Sequence, residues 1–152
     1  DKFPGSVFVP GKKPWEVEAD LYIPCAMQND IRLEDAKNIV ASGAKFVCEG
    51  ANMPTTNEAL DYLMQNGVIV GPCKAANAGG VACSCIEMGQ NAGHTVFSPE
   101  QVHAQLKTIM VNIHDSAAKA AQEYGLGYNL VAGANIAGFM KVAQAMMAQG
   151  VV

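Results

Sequence analysis

The sequence lacks the glycine-rich backbone cradles that commonly hold the phosphates of nucleotides. It contains no GxGxxG and no Walker motif, and "GLG" at 125–127 runs into Tyr128 after a predicted helix rather than after a strand. Basic clusters are missing as well, because the ten lysines and arginines are scattered and the net charge is −4. Since nucleic-acid-binding surfaces normally gather basic residues, we predict no nucleic-acid partner.

Long apolar runs are also absent. No uninterrupted apolar stretch approaches the ~20 residues that span a bilayer, and residues 1–10 show no charged-then-apolar signal pattern. These features predict no membrane partner. A length of 152 residues is enough for one ordinary domain with a real hydrophobic core.

Cysteine pairs with the spacing of a metal site are missing too. The cysteines are odd in number, none forms a CxxC pair, and the closest two are separated by one residue, which is a poor spacing for zinc. We therefore predict no metal site and interpret the thiols as reduced and mostly buried, in a cytoplasmic protein. They are Cys25, Cys48, Cys73, Cys83 and Cys85.

The first half of the chain alternates strand-like and helix-like segments. Three apolar segments without strict alternation are typical of buried strands, and the segments between them have helical periodicity. The strand candidates are 19–24, 44–50 and 67–72, with "SVFV" at 6–9 as a further short one, and the helix candidates are 32–43 and 55–67. This alternation predicts a parallel sheet covered by helices on both sides.

The second half contains helix-like segments only. Residues 78–92 can be helical, and Ser98 begins a capping box for a helix that should end near Glu123. Residues 130–148 form the last predicted helix. The predicted fold class is α/β: parallel strands with helices that form the second half of a Rossmann-like dinucleotide-binding domain, followed by carboxyl-terminal helices.

Three loops, each directly after a predicted strand, form the candidate site. Ligands of open parallel sheets bind beyond the carboxyl ends of the strands, and here those ends lead into 24–29, 50–56 and 72–80. Asn52 and Asn77 each offer a paired donor and acceptor, which suits a carboxamide, a ribose hydroxyl or an amide better than a phosphate. Either asparagine could instead be a simple turn former.

Ser84 is a second candidate for ligand binding. If a helix begins near Gly79, Ser84 lies within its first two turns, where a hydroxyl and free backbone N–H groups can hold a carboxylate. Alternatively, its hydroxyl bonds back to its own helix. We predict no nucleophile, because "ACSCI" at 82–86 lacks the GxSxG arrangement of a serine hydrolase.

Four segments carry a resemblance to a known family. They are "PCAMQND" (24–30), "EGANMPTTNEAL" (49–60), "KAANAGGVACSCIEMGQN" (74–91) and "AGANIAGFMKVAQAMMAQGV" (132–151). Together they are similar to the carboxyl-terminal third of the hexameric glutamate dehydrogenases of the bacterial type, in the Glu/Leu/Phe/Val dehydrogenase family. The resemblance covers essentially the whole chain.

The resemblance implies reversible oxidative deamination of L-glutamate to 2-oxoglutarate and ammonia, with NAD or NADP as cofactor. It also implies a homo-oligomer, which in the family is a hexamer. The positions that match cofactor-binding residues are Cys25, Ala26, Asn52 and Asn77. Val81 matches the apolar wall of the substrate site, and Ser84 matches the hydroxyl that binds the side-chain carboxylate of glutamate.

The resemblance is incomplete in one respect. No residue here matches the family's catalytic lysine, its partner aspartate or the glycine fingerprint, so no catalytic residue is assigned. We expect a fragment of a longer enzyme, inactive by itself, with 1–95 as a partial NAD(P)-binding domain and 96–152 as a helical segment that packs back on the substrate domain. The alternative is a non-catalytic α/β binding module that retains half of a nucleotide cleft.

Overall fold

The structure is a computed structural model that describes residues 3–150. Residues 1–2, at the start of the predicted segment 1–95, and residues 151–152, at the end of the predicted segment 96–152, lie outside the described part of the chain. The elements, in chain order, are a 3-10 helix (Pro14–Glu16), β1 (Leu21–Tyr22), α1 (Leu33–Ala41), β2 (Phe46–Cys48), α2 (Asn57–Gln65), β3 (Ile69–Gly71), α3 (Cys73–Ala76), α4 (Ala78–Gly93), α5 (Pro99–Glu123) and α6 (Leu130–Gln149).

The three strands form one parallel sheet in the order β1-β2-β3. Phe46 of β2 lies opposite Leu21 on one side and Ile69 on the other. The helices α1 and α2 connect consecutive strands, as parallel neighbours require. The prediction of an α/β fold with a parallel sheet is therefore confirmed.

One face of the sheet is fully covered, and the other is not. Val47 and Val70 point into a core that α1 and α2 close from outside with fully buried Ile39 and Leu63. On the opposite face, the prediction of complete coverage is wrong, since Leu21, Phe46 and Ile69 are 46%, 44% and 37% exposed. The physical reason is that α5 reaches only the carboxyl end of the sheet, where Met110 and Ile113 face Cys48 and Gly71.

The predicted helix starts and stops are confirmed. Gly43 and Gly67 adopt φ of +78° and +79° just beyond α1 and α2, a conformation that costs glycine little. The Thr56 hydroxyl accepts from the Ala59 N–H at the start of α2. Ser98 and Gln101 form the predicted reciprocal capping box of α5.

Two local predictions differ from the structure. "SVFV" at 6–9 is not a strand, because it pairs with no strand of the described chain and leaves Val7 and Phe8 84% and 87% exposed. The short helix α3 was not predicted, because its four residues lie inside a segment that the sequence assigned to a loop. The cysteines are also less buried than predicted: all five are free, two are exposed and three are half-buried.

The helices α5 and α6 pack closely against each other. A Cβ atom on Gly133 of α6 would overlap the Ala117 carbonyl oxygen of α5, so only glycine allows this approach. Buried alanines at 117, 120 and 121 provide the matching small surface on α5. Beyond this crossing α6 is largely uncovered, with Phe139 and Met147 64% and 85% exposed.

By length and composition α6 could cross a membrane, although polar residues interrupt its apolar sequence. The prediction that no segment is long and apolar enough to span a bilayer is therefore wrong for α6. It has 20 residues, and its most apolar 18-residue stretch has a mean hydropathy of 1.2 and is 11% buried. One helix of this kind is weak evidence for a membrane protein, because the core helix of a soluble protein meets the same criteria.

Candidate functional site

The three predicted loops form one continuous surface at the carboxyl edge of the sheet. The N–H groups of Gly50 and Ala51 in the second loop donate to the Pro24 carbonyl oxygen in the first, at 3.0 and 2.8 Å. The Glu49 N–H donates to the carbonyl oxygen of Gly71, the last residue of β3 before the third loop, at 2.9 Å. These bonds extend the pairing of the parallel strands into the loops and fix the loops side by side.

The two predicted asparagines are hydrogen-bonded to each other. Asn77 Nδ2 donates to Asn52 Oδ1 at 2.6 Å. This bond uses one donor and one acceptor, so the Asn52 Nδ2 and Asn77 Oδ1 atoms keep hydrogen-bonding capacity for another partner. The pair therefore retains one amide donor and one amide acceptor at the sheet edge.

Cys25 and Ala26 of the first loop are both exposed and lie next to the second loop. A Cβ atom added to Gly50 would lie 2.6 Å from Cys25 Sγ, which is closer than real Cβ atoms approach other atoms. Gly50 thus allows the Cys25 thiol to lie directly against the backbone of the loop that carries Asn52.

Cys48, at the end of β2, is less accessible than Cys25. Burial raises the pKa of the Cys48 thiol, and the nearby Cys25 and Glu49 raise it further. Since the thiolate is the reactive form of cysteine, this shift lowers the reactivity of Cys48 at neutral pH.

The predicted substrate residues follow Asn77 along one stripe of α4. Val81 and Ser84 come four and seven positions after Asn77, a spacing that places all three on the same helical face. Val81 is 66% exposed and Ser84 is also exposed, so this stripe faces outward from the sheet edge. The Ser84 hydroxyl donates to the Gly80 carbonyl oxygen at 3.3 Å, which is the alternative that the sequence left open.

The adjacent glycines at 79 and 80 have different surroundings. A Cβ atom on Gly79 would be in ordinary van der Waals contact with Leu106 and Met110 of α5, at 3.5 Å each, so the contact between α4 and α5 does not require glycine at this position. A Cβ atom on Gly80 would meet nothing within 4 Å. Neither glycine of this pair is therefore required by a neighbouring element of the described chain.

Comparison with known proteins identifies the family. The sequence pattern of the Glutamate/Leucine/Phenylalanine/Valine dehydrogenase family matches residues 1–150. The chain belongs to this family.

Curated relatives in the family include both cofactor types. The chain is 57% identical over 152 residues to an NAD-specific glutamate dehydrogenase of Clostridium symbiosum, covering 99% of this chain and 34% of the relative. It is 50% identical over 148 residues to an NADP-specific glutamate dehydrogenase of Haemophilus influenzae, covering 97% of this chain and 33% of the relative. The chain thus spans about a third of the length of the curated relatives it matches.

Solved structures of glutamate dehydrogenases share the fold. One superimposes with a TM-score of 0.92 at 56% identity, over 96% of this chain and 33% of the other. The hetero-hexameric glutamate dehydrogenase of Thermus thermophilus does so with a TM-score of 0.83 at 26% identity, over 98% of this chain and 35% of the other.

Glu49 lies at this candidate site, and the sequence did not single it out. Its side chain is 4% exposed, and its Oε2 atom accepts from the Cys73 N–H at 2.8 Å. The available signal was an acidic residue directly after a buried strand, where an apolar residue or a turn former would be expected. Within residues 3–150, no group of three or more histidine, cysteine or acidic side chains is arranged to hold a metal ion.

Proposed function

We propose that the chain contributes to the reversible oxidative deamination of L-glutamate to 2-oxoglutarate and ammonia, as part of a glutamate dehydrogenase that uses NAD or NADP. The observation that carries the proposal is the Asn52–Asn77 pair, which joins two loops at the carboxyl edge of the sheet in a chain of this family. Family membership supplies the reaction class, and the pair supplies a place for the cofactor.

The donor and acceptor set of the site fits a nicotinamide. A carboxamide needs one donor for its oxygen and one acceptor for its amino group, and the hydrogen-bonded pair retains both, at Asn52 Nδ2 and Asn77 Oδ1. Cys25, Ala26 and the backbone at Gly50 supply small groups beside the pair. When bound, the nicotinamide supplies the hydride chemistry; the chain's own part is to bind and orient it.

The outer part of the α4 stripe suits the substrate. Ser84 lies about 10 Å beyond Asn77 by helical rise, and its hydroxyl can turn from the Gly80 carbonyl to donate to the side-chain carboxylate of glutamate. Leaving Gly80 costs little, since that carbonyl oxygen can still accept a helical backbone N–H. Val81, which is exposed between them, would cover the methylene groups of the substrate and exclude water.

The remaining predictions belong to the same proposal. Residues 1–95 would be the second half of a Rossmann-like NAD(P)-binding domain, and 96–152 would be a helical segment that packs on a substrate domain. The exposed apolar side chains of α6, such as Phe139 and Met147, support such a contact. The whole enzyme would be a cytoplasmic homo-oligomer, a hexamer as in the family.

The activity test uses the natural protein that contains this sequence. It should reduce NAD or NADP in the presence of L-glutamate, measured by the absorbance of the reduced cofactor, whereas the isolated 152 residues should not. Absence of glutamate-dependent reduction with both cofactors, together with absence of cofactor binding, would contradict the proposal and favour a non-catalytic binding module.

The substrate residue is tested by Ser84→Ala in the natural protein. Loss of a hydrogen bond to a carboxylate should raise the KM for glutamate and lower kcat/KM by a factor that corresponds to about 1–3 kcal/mol. Ser116→Ala is a matched control, because the Ser116 hydroxyl also bonds back to its own helix, at 2.6 Å to the Asn112 carbonyl oxygen of α5. An unchanged KM in Ser84→Ala would remove Ser84 from the substrate site.

A further inference from the structure

Glu49 connects the second and third loops through both its main chain and its side chain. Its N–H donates to the Gly71 carbonyl oxygen at 2.9 Å, and its Oε2 atom accepts from the Cys73 N–H at 2.8 Å. The residue lies three positions before Asn52 and is 4% exposed. It is therefore a buried carboxylate at the base of the loop that carries Asn52.

A carboxylate at this position needs a physical reason. Burial of a charged group is costly unless hydrogen bonds or an opposite charge compensate it. Among the described residues, the salt bridges do not include Glu49. Its hydrogen bond from Cys73 is thus the compensation that the structure provides.

The Cys73 N–H in turn needs an acceptor from outside its helix. Cys73 is the first residue of α3, where backbone N–H groups have no intrahelical partner. The residue at the N-cap position is Pro72, whose side chain cannot accept a hydrogen bond, and no side-chain cap is formed there. Glu49 supplies the missing cap from the neighbouring loop.

The cap lies within a closed ring of interactions that ends at the amide pair. The Asn77 N–H donates to the Cys73 carbonyl oxygen at 3.0 Å, and Asn77 Nδ2 donates to Asn52 Oδ1 at 2.6 Å. The backbone from Glu49 to Asn52 closes the ring. We propose that Glu49 is a positioning residue: by capping α3 it sets Asn77 against Asn52, and thereby sets the affinity for a carboxamide ligand. The ligand half of this inference rests on the proposed function, whereas the positioning half does not.

Two variants separate the reach of the side chain from its charge. Glu49→Gln keeps an acceptor at the same distance without the charge, and Glu49→Asp keeps the charge but is one methylene too short. In the 152-residue chain, Glu49→Asp should speed hydrogen exchange of the Cys73 amide and shift the NMR signals of the Asn77 side-chain amide. Glu49→Gln should leave both close to wild type.

Binding of NADH to the natural protein that contains this sequence, followed by its fluorescence, gives the second readout. Glu49→Asp should weaken binding by about tenfold, in the range expected when a buried donor is left unpaired, and Glu49→Gln should restore it. Asp35→Ala is the matched control for a general loss of stability. Asp35 is also a buried carboxylate, in the first turn of α1, which accepts from the Arg32 N–H and from Lys13, both at 2.9 Å. Asp35→Ala should lower the melting temperature without changing the affinity for NADH.

Three results would overturn the inference. The first is that Glu49→Asp changes neither the hydrogen exchange rate of the Cys73 amide nor the affinity for NADH. The second is that Glu49→Gln loses as much NADH affinity as Glu49→Asp does. The third is that Asp35→Ala loses as much NADH affinity as Glu49→Asp does. A further outcome is that the wild-type protein binds no NADH while Glu49→Gln and Glu49→Asp still differ as expected in the hydrogen exchange of the Cys73 amide and the NMR signals of the Asn77 side chain. In that case the positioning role of Glu49 stands and the proposed function fails.

Discussion

At the residue scale, the candidate site depends on the hydrogen bond between the side-chain amides of Asn52 and Asn77. An asparagine side chain rotates freely on a surface, but Asn52 and Asn77 restrict each other through the hydrogen bond between them. Such pre-organisation reduces the conformational entropy lost when a ligand binds. The value of the pair to the site is therefore its fixed order of donor and acceptor rather than its own stabilisation of the fold.

Two cysteines in neighbouring loops should differ in chemical reactivity. Cys25 is exposed, whereas Cys48 is half-buried with a raised pKa, so its thiolate appears only at higher pH. With iodoacetamide at pH 7.5, we expect Cys25 to be alkylated at least about ten times faster than Cys48, as measured by mass spectrometry of tryptic peptides. NADH should slow the reaction of Cys25.

Cys85 provides the internal reference for this alkylation. It is exposed on α4, two helical turns beyond the amide pair, so NADH should leave its rate unchanged. Equal protection of both thiols, or none at Cys25 under saturating NADH, would argue against a cofactor beside the first loop.

At the element scale, the crossing of α5 and α6 depends on a single missing side chain. Gly133→Ala should destabilise the chain by at least about 2 kcal/mol, because the new methyl group would overlap the Ala117 carbonyl oxygen and force the helices apart. The midpoint of urea denaturation, followed by circular dichroism, measures this change.

A second glycine of the same helix is the control for Gly133. Gly138 is exposed, and a Cβ atom there would meet nothing within 4 Å. Gly138→Ala should therefore stabilise the chain by about 0.5–1 kcal/mol through helix propensity alone. Equal effects of the two substitutions would show that the close crossing does not hold α6 in place.

Elements governed by local chemistry could be predicted from the sequence. Thr56, Ser98 and the two glycines at 43 and 67 carry their own start and stop signals, and the helices begin and end close to those positions. The four-residue helix α3 could not be predicted, since its cap is Glu49 from another loop rather than a neighbour in sequence. The need for glycine at position 133 could not be predicted either, because it arises from contact with Ala117 on another helix.

At the scale of the whole molecule, too, some features of the sheet and the site could be predicted from the sequence and others could not. The parallel strands bring the three loops to one edge, as the alternation of strands and helices predicted. The incomplete cover over Phe46 and Ile69 could not be predicted, because burial depends on where distant helices lie. The convergence of Asn52 and Asn77 was predicted, but their direct hydrogen bond was not, since it depends on side-chain orientation.

The central claim is that the carboxyl edge of the sheet is where a nicotinamide cofactor binds. Titration with NADH of the isotopically labelled natural protein that contains this sequence, followed by NMR of backbone and side-chain amides, tests it most directly. Binding at this edge should shift the signals of the Asn52 and Asn77 side-chain amides and of the Gly50 backbone amide, whereas those of Gly43 and Gly67 at the opposite edge should not change. Shifts confined to the opposite edge, or an unchanged asparagine pair at saturating NADH, would contradict it.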